Sequence, residues 1–327
     1  MLLVCYGTRP EWIKVKPIVE VVECKTLFTG QHKHLLSHEC DISLNIGAES
    51  SNRLNCIFSS VMRQEDIFNG VDQVLVQGDT ASAAAIALSA FHQKIKIIHL
   101  EAGLRTYNIA DPYPEEAYRQ IISRVASVHL CPTKYNKQCL EDEKVSGEIY
   151  VVGNTVLDNL VDLPVSYNQE VLVTMHRREN HPIIKEWFKE ISKLATENPN
   201  LTFTLPIHPN PNVKKHKGYL KNVNVVDPIP YEEMKKRIAS CRFLISDSGG
   251  LQEEASFLKK KIIVCRKTTE RVESIGKSSF MCTDPSQLKS IFNKIKKEYI
   301  VDINYACPYG SGDAAQSIQK ILLNIVI

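Results

Sequence analysis

The chain carries no GxGxxG dinucleotide fingerprint and no phosphate loop ending in GK[ST], so neither of the common glycine-rich nucleotide motifs is present. Its ten cysteines include no CxxC pair and no zinc-like cluster, which argues against a zinc module or a disulfide framework. Several lie in apolar runs, such as Leu2-Leu3-Val4-Cys5 and Ile262-Ile263-Val264-Cys265, and fit buried thiols in a reducing compartment. No apolar run approaches the ~18 residues of a membrane span. Arg9 and Glu11 arrive too early for a secretory leader, and a cytoplasmic location is expected. A formal net charge of +3 is too small to indicate nucleic acid or a membrane surface as partner, and leaves room for a small anionic ligand. There is no fixed-period repeat and no low-complexity segment.

What is present is an ordinary globular composition, 43% hydrophobic and 24% charged over 327 residues. At ~150 residues per domain this suggests two domains. Short apolar runs alternate with helical patterns in the first half: strands at Leu2–Tyr6, Thr26–Thr29, Gln73–Gln77, Ile95–Leu100, Val128–Cys131 and Glu148–Val152, helices at Trp12–Val22, Thr80–Phe91 and Glu115–Val125. The pattern restarts at Val171–Thr174 and continues through Leu201–Pro206, Asn224–Val226, Phe243–Ser246 and Ile262–Cys265, with helices at Ile184–Ala195, Tyr231–Ile238 and Leu251–Leu258. This alternation predicts α/β architecture, each half a parallel sheet covered on both faces. Asp162–Gln169 reads as a linker and Asp313–Val326 as a last helix; Ser50–Gln64 is polar and poorly periodic, and is not assigned. The expected division is a first domain over 1–161, a second over 170–311, and a closing segment over 312–327.

In open parallel sheets, ligands bind beyond the carboxyl ends of the strands, and here those ends are polar. Gly7-Thr8-Arg9-Pro10-Glu11 and Lys14 follow the first strand. Glycine allows a tight turn and Pro10 suits a helix start, so Arg9 falls where a helix N-terminus attracts anions; a capped helix with a solvated arginine would give the same pattern. Gly78-Asp79-Thr80 opens another helix, where Asp79 could serve simply as a cap. Glu101 ends the next strand in His99-Leu100-Glu101-Ala102-Gly103-Leu104-Arg105, and Asp111-Pro112-Tyr113-Pro114 leads into Glu115-Glu116, acids also favoured at a helix start. In the second half, His176-Arg177-Arg178-Glu179-Asn180 and His208-Pro209-Asn210 follow strands, and charged groups in such places are costly without partners. The strongest local signal is Ser246-Asp247-Ser248-Gly249-Gly250-Leu251-Gln252-Glu253-Glu254. It presents bare N–H groups at a helix N-terminus, suited to a diphosphate, with Glu254 one turn inside and within reach of a ribose diol.

Taken in order, Gly7–Lys14, Gly30-Gln31-His32, Gly78–Thr80, Glu101–Thr106, Pro114–Arg119, Gly153-Asn154-Thr155, His176–Asn180, His208–Val213, Asp247–Glu254, Thr268–Arg271 and Gly310–Ala314 span nearly the whole chain. As a set, this sequence resembles the non-hydrolysing UDP-N-acetylglucosamine 2-epimerases. The resemblance implies two Rossmann-like domains facing each other across a cleft of the GT-B type, the final helix crossing back to the first domain, no nicotinamide, no metal, and a homodimer. It implies reversible conversion of UDP-GlcNAc to UDP-ManNAc, or of a related UDP-2-acetamido sugar, by anti-elimination of UDP and re-addition through a 2-acetamidoglucal. By the same resemblance Asp79, Glu101, Glu115 and His176 are the catalytic positions. Arg9, Lys14, His208, Ser248, Gly249, Gly250, Glu254 and Arg271 bind the substrate, and Gln31 and Arg177 match a second UDP-GlcNAc site with an activating role. The sequence departs from its relatives at His34, where they often carry Glu or Gln, at Met175, and in a shortened stretch between Gln31 and Val71. Three rival readings share much of this pattern: a hydrolysing epimerase that releases UDP, a GT-B glycosyltransferase that needs an acceptor, and a sensor that binds without turnover.

Overall fold

The computed structural model describes residues 1–31, 40–44, 46 and 53–325. His32 and His34 of the motif read above therefore lie outside the described residues. The described chain divides into two units, Met1–Asn159 with Gly310–Ile327, and Leu160–Tyr309.

The first unit is built on strands β1 (Leu2–Tyr6), β2 (Lys25–Phe28), β3 (Ile42–Ser43), β4 (Gln73–Gln77), β5 (Lys96–Leu100), β6 (Val128–Cys131) and β7 (Glu148–Val151), with helices α1 (Arg9–Val19), α2 (Arg53–Arg63), α3 (Ala81–His92), α4 (Glu115–Val125) and α5 (Lys134–Asp142). All strand pairs are parallel, in the order β3-β2-β1-β4-β5-β6-β7. Strand residues alternate between two cores, as a period of two requires. Leu3, Cys5, Val74 and Val76 face α3 and α4, whereas Val4, Tyr6 and Leu75 face α1. The run of small residues from Ala81 to Ala87 in α3 is fully buried; short side chains let neighbouring helices approach closely.

The second unit repeats the plan with β8 (Glu170–Thr174), β9 (Thr202–Pro206), β10 (Asn224–Val226), β11 (Phe243–Ser246), β12 (Ile262–Val264) and β13 (Ser279–Met281). Its helices are α6 (Ile184–Glu197), α7 (Pro211–Lys214), α8 (Tyr231–Ser240), α9 (Gly250–Phe257) and α10 (Leu288–Lys297). The order is β10-β9-β8-β11-β12-β13, again parallel. Trp187, Phe188, Phe203, Phe243 and Phe292 form the centre of its core. The last helix, α11 (Ala314–Ile325), packs Ala315, Ile318 and Leu322 into the α1 face of the first sheet, so the end of the chain belongs to the first unit.

Several elements differ from expectation. The segment left unassigned forms α2. Strand β13 is too short, and α5 too polar, to stand out by periodicity. Asp162–Gln169 is not a free linker: Ser166 and Asn168 donate to the carbonyls of Ala239 and Ser240 at the end of α8. Among the described residues, no helix is long and apolar enough to cross a membrane.

Each sheet reverses direction of growth once, between β1 and β4 and between β8 and β11. Loops leaving the carboxyl ends of such a strand pair diverge to opposite faces and leave a crevice for ligand. This topology therefore gathers the polar motifs after β1 and β4 in the first unit and, separately, those after β8 and β11 in the second.

His99 and His129 occupy opposed positions on β5 and β6 and are fully buried. Burial, only partly offset by the bond to the Gly78 carbonyl, lowers the pKa of His99 from 6.5 to about 3. Between those values the unfolded chain binds the extra proton, so this contribution to stability is complete above pH 6.5 and is lost as pH falls toward 3, by roughly 5 kcal/mol at most. His99→Gln retains a donor for Gly78 without the titration. Urea midpoints measured from pH 7 to pH 4 should fall less steeply in this variant than in the parent; identical slopes would show that His99 is not the group responsible.

Candidate active site

In the first unit, Gly7 leaves β1 where a Cβ would lie 2.1 Å from the Ser82 hydroxyl and 2.3 Å from that of Thr29; glycine is needed by this close approach. Thr8 caps α1, accepting the Glu11 N–H and donating to Glu11 Oε2 at 2.7 Å, a variant of the reciprocal capping box. Glu11 also accepts from the Gly7 N–H at 3.1 Å and the Thr80 hydroxyl at 2.7 Å, tying the loop after β1 to the loop after β4. Burial raises its carboxyl pKa to about 7 despite these donors. Arg9, the first residue of α1, is exposed and has no carboxylate partner among the described residues.

Glu101 follows β5 in a left-handed backbone conformation, φ 63°. A non-glycine residue there is strained and persists only where its surroundings hold it. Lys14 lies 2.5 and 2.6 Å from its two oxygens, Asn154 donates at 3.2 Å, and Gln77 donates as well. Lys14, read from sequence as a substrate contact, is thus the counter-charge of Glu101. The neighbouring Gly78 has φ 73°, and a Cβ on it would be 3.5 Å from Glu101 Oε2. Asp79 follows Gly78 at the mouth of β4.

Asp79 accepts two hydrogen bonds from Arg119, at 2.9 Å from Nε and 2.6 Å from Nη2. Arg119 also donates to buried Glu116 at 3.2 Å, and Glu116 accepts the N–H groups of Thr106 and Tyr107. Glu116 thus anchors the loop between Glu101 and α4 while Arg119 orients Asp79. Glu115, in the first turn of α4, has a buried Oε2 without a hydrogen-bond partner. Buried polar atoms are nearly always paired, so such an atom calls for a reason, ligand binding among them. Gln31 is fixed through its side-chain oxygen, which accepts from the Ser82 N–H at 3.2 Å and hydroxyl at 2.7 Å.

In the second unit, Asp247 is fully buried at the end of β11 and accepts the N–H groups of His176 and Arg177. The His176 ring stacks on His208 with centroids 5.6 Å apart and planes at 25°. Burial lowers the pKa of His176, partly offset by Asp247, and lowers that of His208; both rings are neutral at pH 7. Ser248, Gly249 and Gly250 open α9, where the first N–H groups have no partner within the helix. The Arg271 guanidinium lies against Gly249, 2.7 Å from where a Cβ would be, with Arg177 Nη2 at 3.3 Å from the same point. Arg271 is itself held by Glu253 at 2.7 Å and Glu270 at 2.5 Å. Glu254 is buried in the second turn of α9.

In the first unit Lys14 meets Glu101; in the second, His176 stacks on His208 and Arg177 and Arg271 lie against Gly249. Sequence reasoning assigned no role to Gln77, Glu116, Arg119, Asn154 or Asp247. Asn154 and Asp247 follow strands and so carried the same signal as the residues chosen; Arg119 and Glu116 lie inside or at the start of a helix, where nothing set them apart.

The family model for UDP-N-acetylglucosamine 2-epimerase matches residues 19–323. The enzyme of that name from Campylobacter jejuni is 35% identical, with 98% of this chain and 97% of the relative covered; that from Bacillus subtilis is 32% identical over 98% and 94%. The crystal structure of the Neisseria meningitidis UDP-GlcNAc 2-epimerase bound to UDP-GlcNAc superposes with a TM-score of 0.86 at 32% identity, covering 99% of both chains. Identity of this order along the entire length, in a chain whose two parallel sheets superpose on those structures, makes it a member of the UDP-N-acetylglucosamine 2-epimerase family.

Proposed function

We propose that the protein interconverts UDP-GlcNAc and UDP-ManNAc, or a closely related UDP-2-acetamido sugar pair, without net hydrolysis. The observation that carries this reading is the acid/base arrangement of the first unit. Asp79 is oriented by Arg119, Glu101 is held by three donors, and Glu115 keeps a buried oxygen unpaired. The proton on C2 is not acidic, so its removal has to be coupled to departure of a good leaving group. The C2–H proton passes to a protein base, the C1–O bond breaks toward the diphosphate, and a C1=C2 double bond forms. Return of a proton to the opposite face of C2, with attack of the phosphate oxygen on C1, completes inversion. Two acid/base groups are needed for two faces, and Asp79, Glu101, Glu115 and His176 supply them. The N–H groups of Gly249 and Gly250 suit the oxygens of the leaving diphosphate, Ser248 offering its hydroxyl because its N–H donates to the Ser246 hydroxyl at 2.9 Å, with Arg9 as a further cation. Glu254 suits the ribose, and His208 and Arg271 flank the same loops.

The non-hydrolysing outcome rests on the Thr8-Arg9-Pro10-Glu11 form of the first loop, which hydrolysing relatives usually lack. Incubation with UDP-GlcNAc in D₂O, followed by NMR, should give deuterium at C2 of both epimers with UDP remaining attached to sugar. Stoichiometric free UDP would favour the hydrolysing reaction instead. Absence of turnover without an acceptor would favour a transferase, and binding without C2 exchange a sensor.

Asp79→Asn, Glu101→Gln and Glu115→Gln should each lower kcat by at least ~10²-fold while calorimetric UDP affinity is largely kept; near-normal rates in all three would remove these residues from the mechanism. Arg9→Ala, by contrast, should act mainly on the nucleotide and weaken UDP binding, and an unchanged Kd would show that Arg9 is not a phosphate ligand.

A further inference from the structure

Asp247 is more elaborately held than a loop anchor requires. It is fully buried, and an isolated carboxylate in such a place is costly unless paired and hydrogen-bonded. Its Oδ2 accepts the Arg177 N–H at 2.9 Å, the His176 N–H at 3.0 Å and Asn180 Nδ2 at 3.1 Å. Asn180 is in turn fixed by Trp187 Nε1 at 3.1 Å and donates its other hydrogen to the Cys265 carbonyl at 2.9 Å. The partners of Oδ2 are thus two backbone N–H groups and an amide pinned at both ends. Oδ1 differs: it accepts the His176 N–H at 3.0 Å, and the Nδ1 of the same histidine lies 3.4 Å away. One oxygen locks the carboxylate to the backbone, and the other is turned toward an imidazole.

We propose that Asp247 is a positioning residue for His176, forming with it a carboxylate–imidazole dyad that holds Nδ1–H toward Asp247 and leaves Nε2 as the proton-exchanging nitrogen. The proposal rests on the reading of His176 as an acid/base group of the epimerase reaction. A buried carboxylate behind a catalytic histidine selects the tautomer and stabilises the imidazolium when it forms. The groups that act on the His176 ring show why one is needed here. Besides burial, Arg177, His181 and Arg266 all disfavour a positive charge on it. Asp247 is the single anion in that set. Asp247 favours the charged ring and so offsets part of what burial and those groups take away.

Wild-type protein labelled with ¹⁵N-histidine tests the geometry directly, the His176 signals being assigned by their loss in His176→Gln. The expected state is the Nδ1–H tautomer; an Nε2–H tautomer would overturn the proposal, and this reading does not depend on any Asp247 variant folding. In Asp247→Asn the His176 titration midpoint should move to lower pH and kcat should drop by roughly 10²-fold, with KM within about threefold. The His176→Gln/Asp247→Asn double variant should be no slower than His176→Gln alone, since two residues acting as a unit do not lose activity multiplicatively. Multiplicative losses, or an unmoved titration midpoint, would reduce Asp247 to a loop anchor and overturn the dyad. A fully active His176→Gln would refute the acid/base role of His176 itself, while the tautomer and midpoint would still decide whether the dyad exists.

Discussion

The pairing of Glu101 with Lys14 is the contact on which much of the first unit's chemistry depends. A carboxylate that is 7% exposed and forced into a left-handed backbone conformation costs free energy twice, once for lost hydration and once for torsional strain. Lys14, Gln77 and Asn154 offset that cost by meeting both oxygens with donors from three elements: α1, β4 and the loop after β7. Removing any of them leaves a buried charge under-satisfied, so these donors and Glu101 form one cooperative unit. The left-handed turn at Glu101 is what directs the chain away from β5 toward Gly103 and the loop leading to Glu115.

Parallel sheets bring such residues together without long-range sequence signals. Crossover connections place every βα loop of a sheet at one edge, and reversal of strand order at β1/β4 and at β8/β11 opens a crevice there. Four of the candidate segments, those beginning at Gly7, Gly78, Glu101 and Asp247, leave strands directly, and the close fit around Gly7 shows how tightly the β1 and β4 loops are joined. Glu11 makes that junction with hydrogen bonds rather than apolar packing, so the loop carrying Arg9 and the loop carrying Asp79 hold one register.

Much of this was legible in the sequence because strand termini are easy to find when strands are apolar runs such as Leu2–Tyr6 and Phe243–Ser246. The polar residue after such a run is conspicuous, and that rule found Asp79, Glu101, His176 and Ser248. It does not reach Arg119, whose role depends on α4 returning across the mouth of β4 so that a helical position meets Asp79. Nor did it reveal that Lys14 would be occupied by Glu101, since they are 87 residues apart and meet only through strand order. Among secondary elements, α5 was missed because its sequence, Lys134–Asp142, is mostly polar, and β13 because three residues establish no period. The α2 segment looked irregular because polar residues separate its core positions, Ile57 and Val61, with Phe58 against Tyr118 of α4.

The two arginines implied for the diphosphate stand in opposite electrostatic states. Arg271 is 5% exposed and donates to both Glu253 and Glu270, and Glu270 is shared with Arg266. Its charge is therefore compensated before any ligand arrives, and a diphosphate would gain little net Coulomb attraction from it. Its contact with Gly249 gives it a different use, which is to hold the backbone of the α9 entry loop so that the N–H groups of Gly249 and Gly250 keep their direction. Arg9 has no carboxylate beside it among the described residues and sits where the α1 N-terminus adds its own partial positive charge. An anion meeting Arg9 releases no existing ion pair, so the whole interaction is available to it. Of the two, Arg9 therefore keeps its charge free for an anion, whereas the charge of Arg271 is already paired within its own unit.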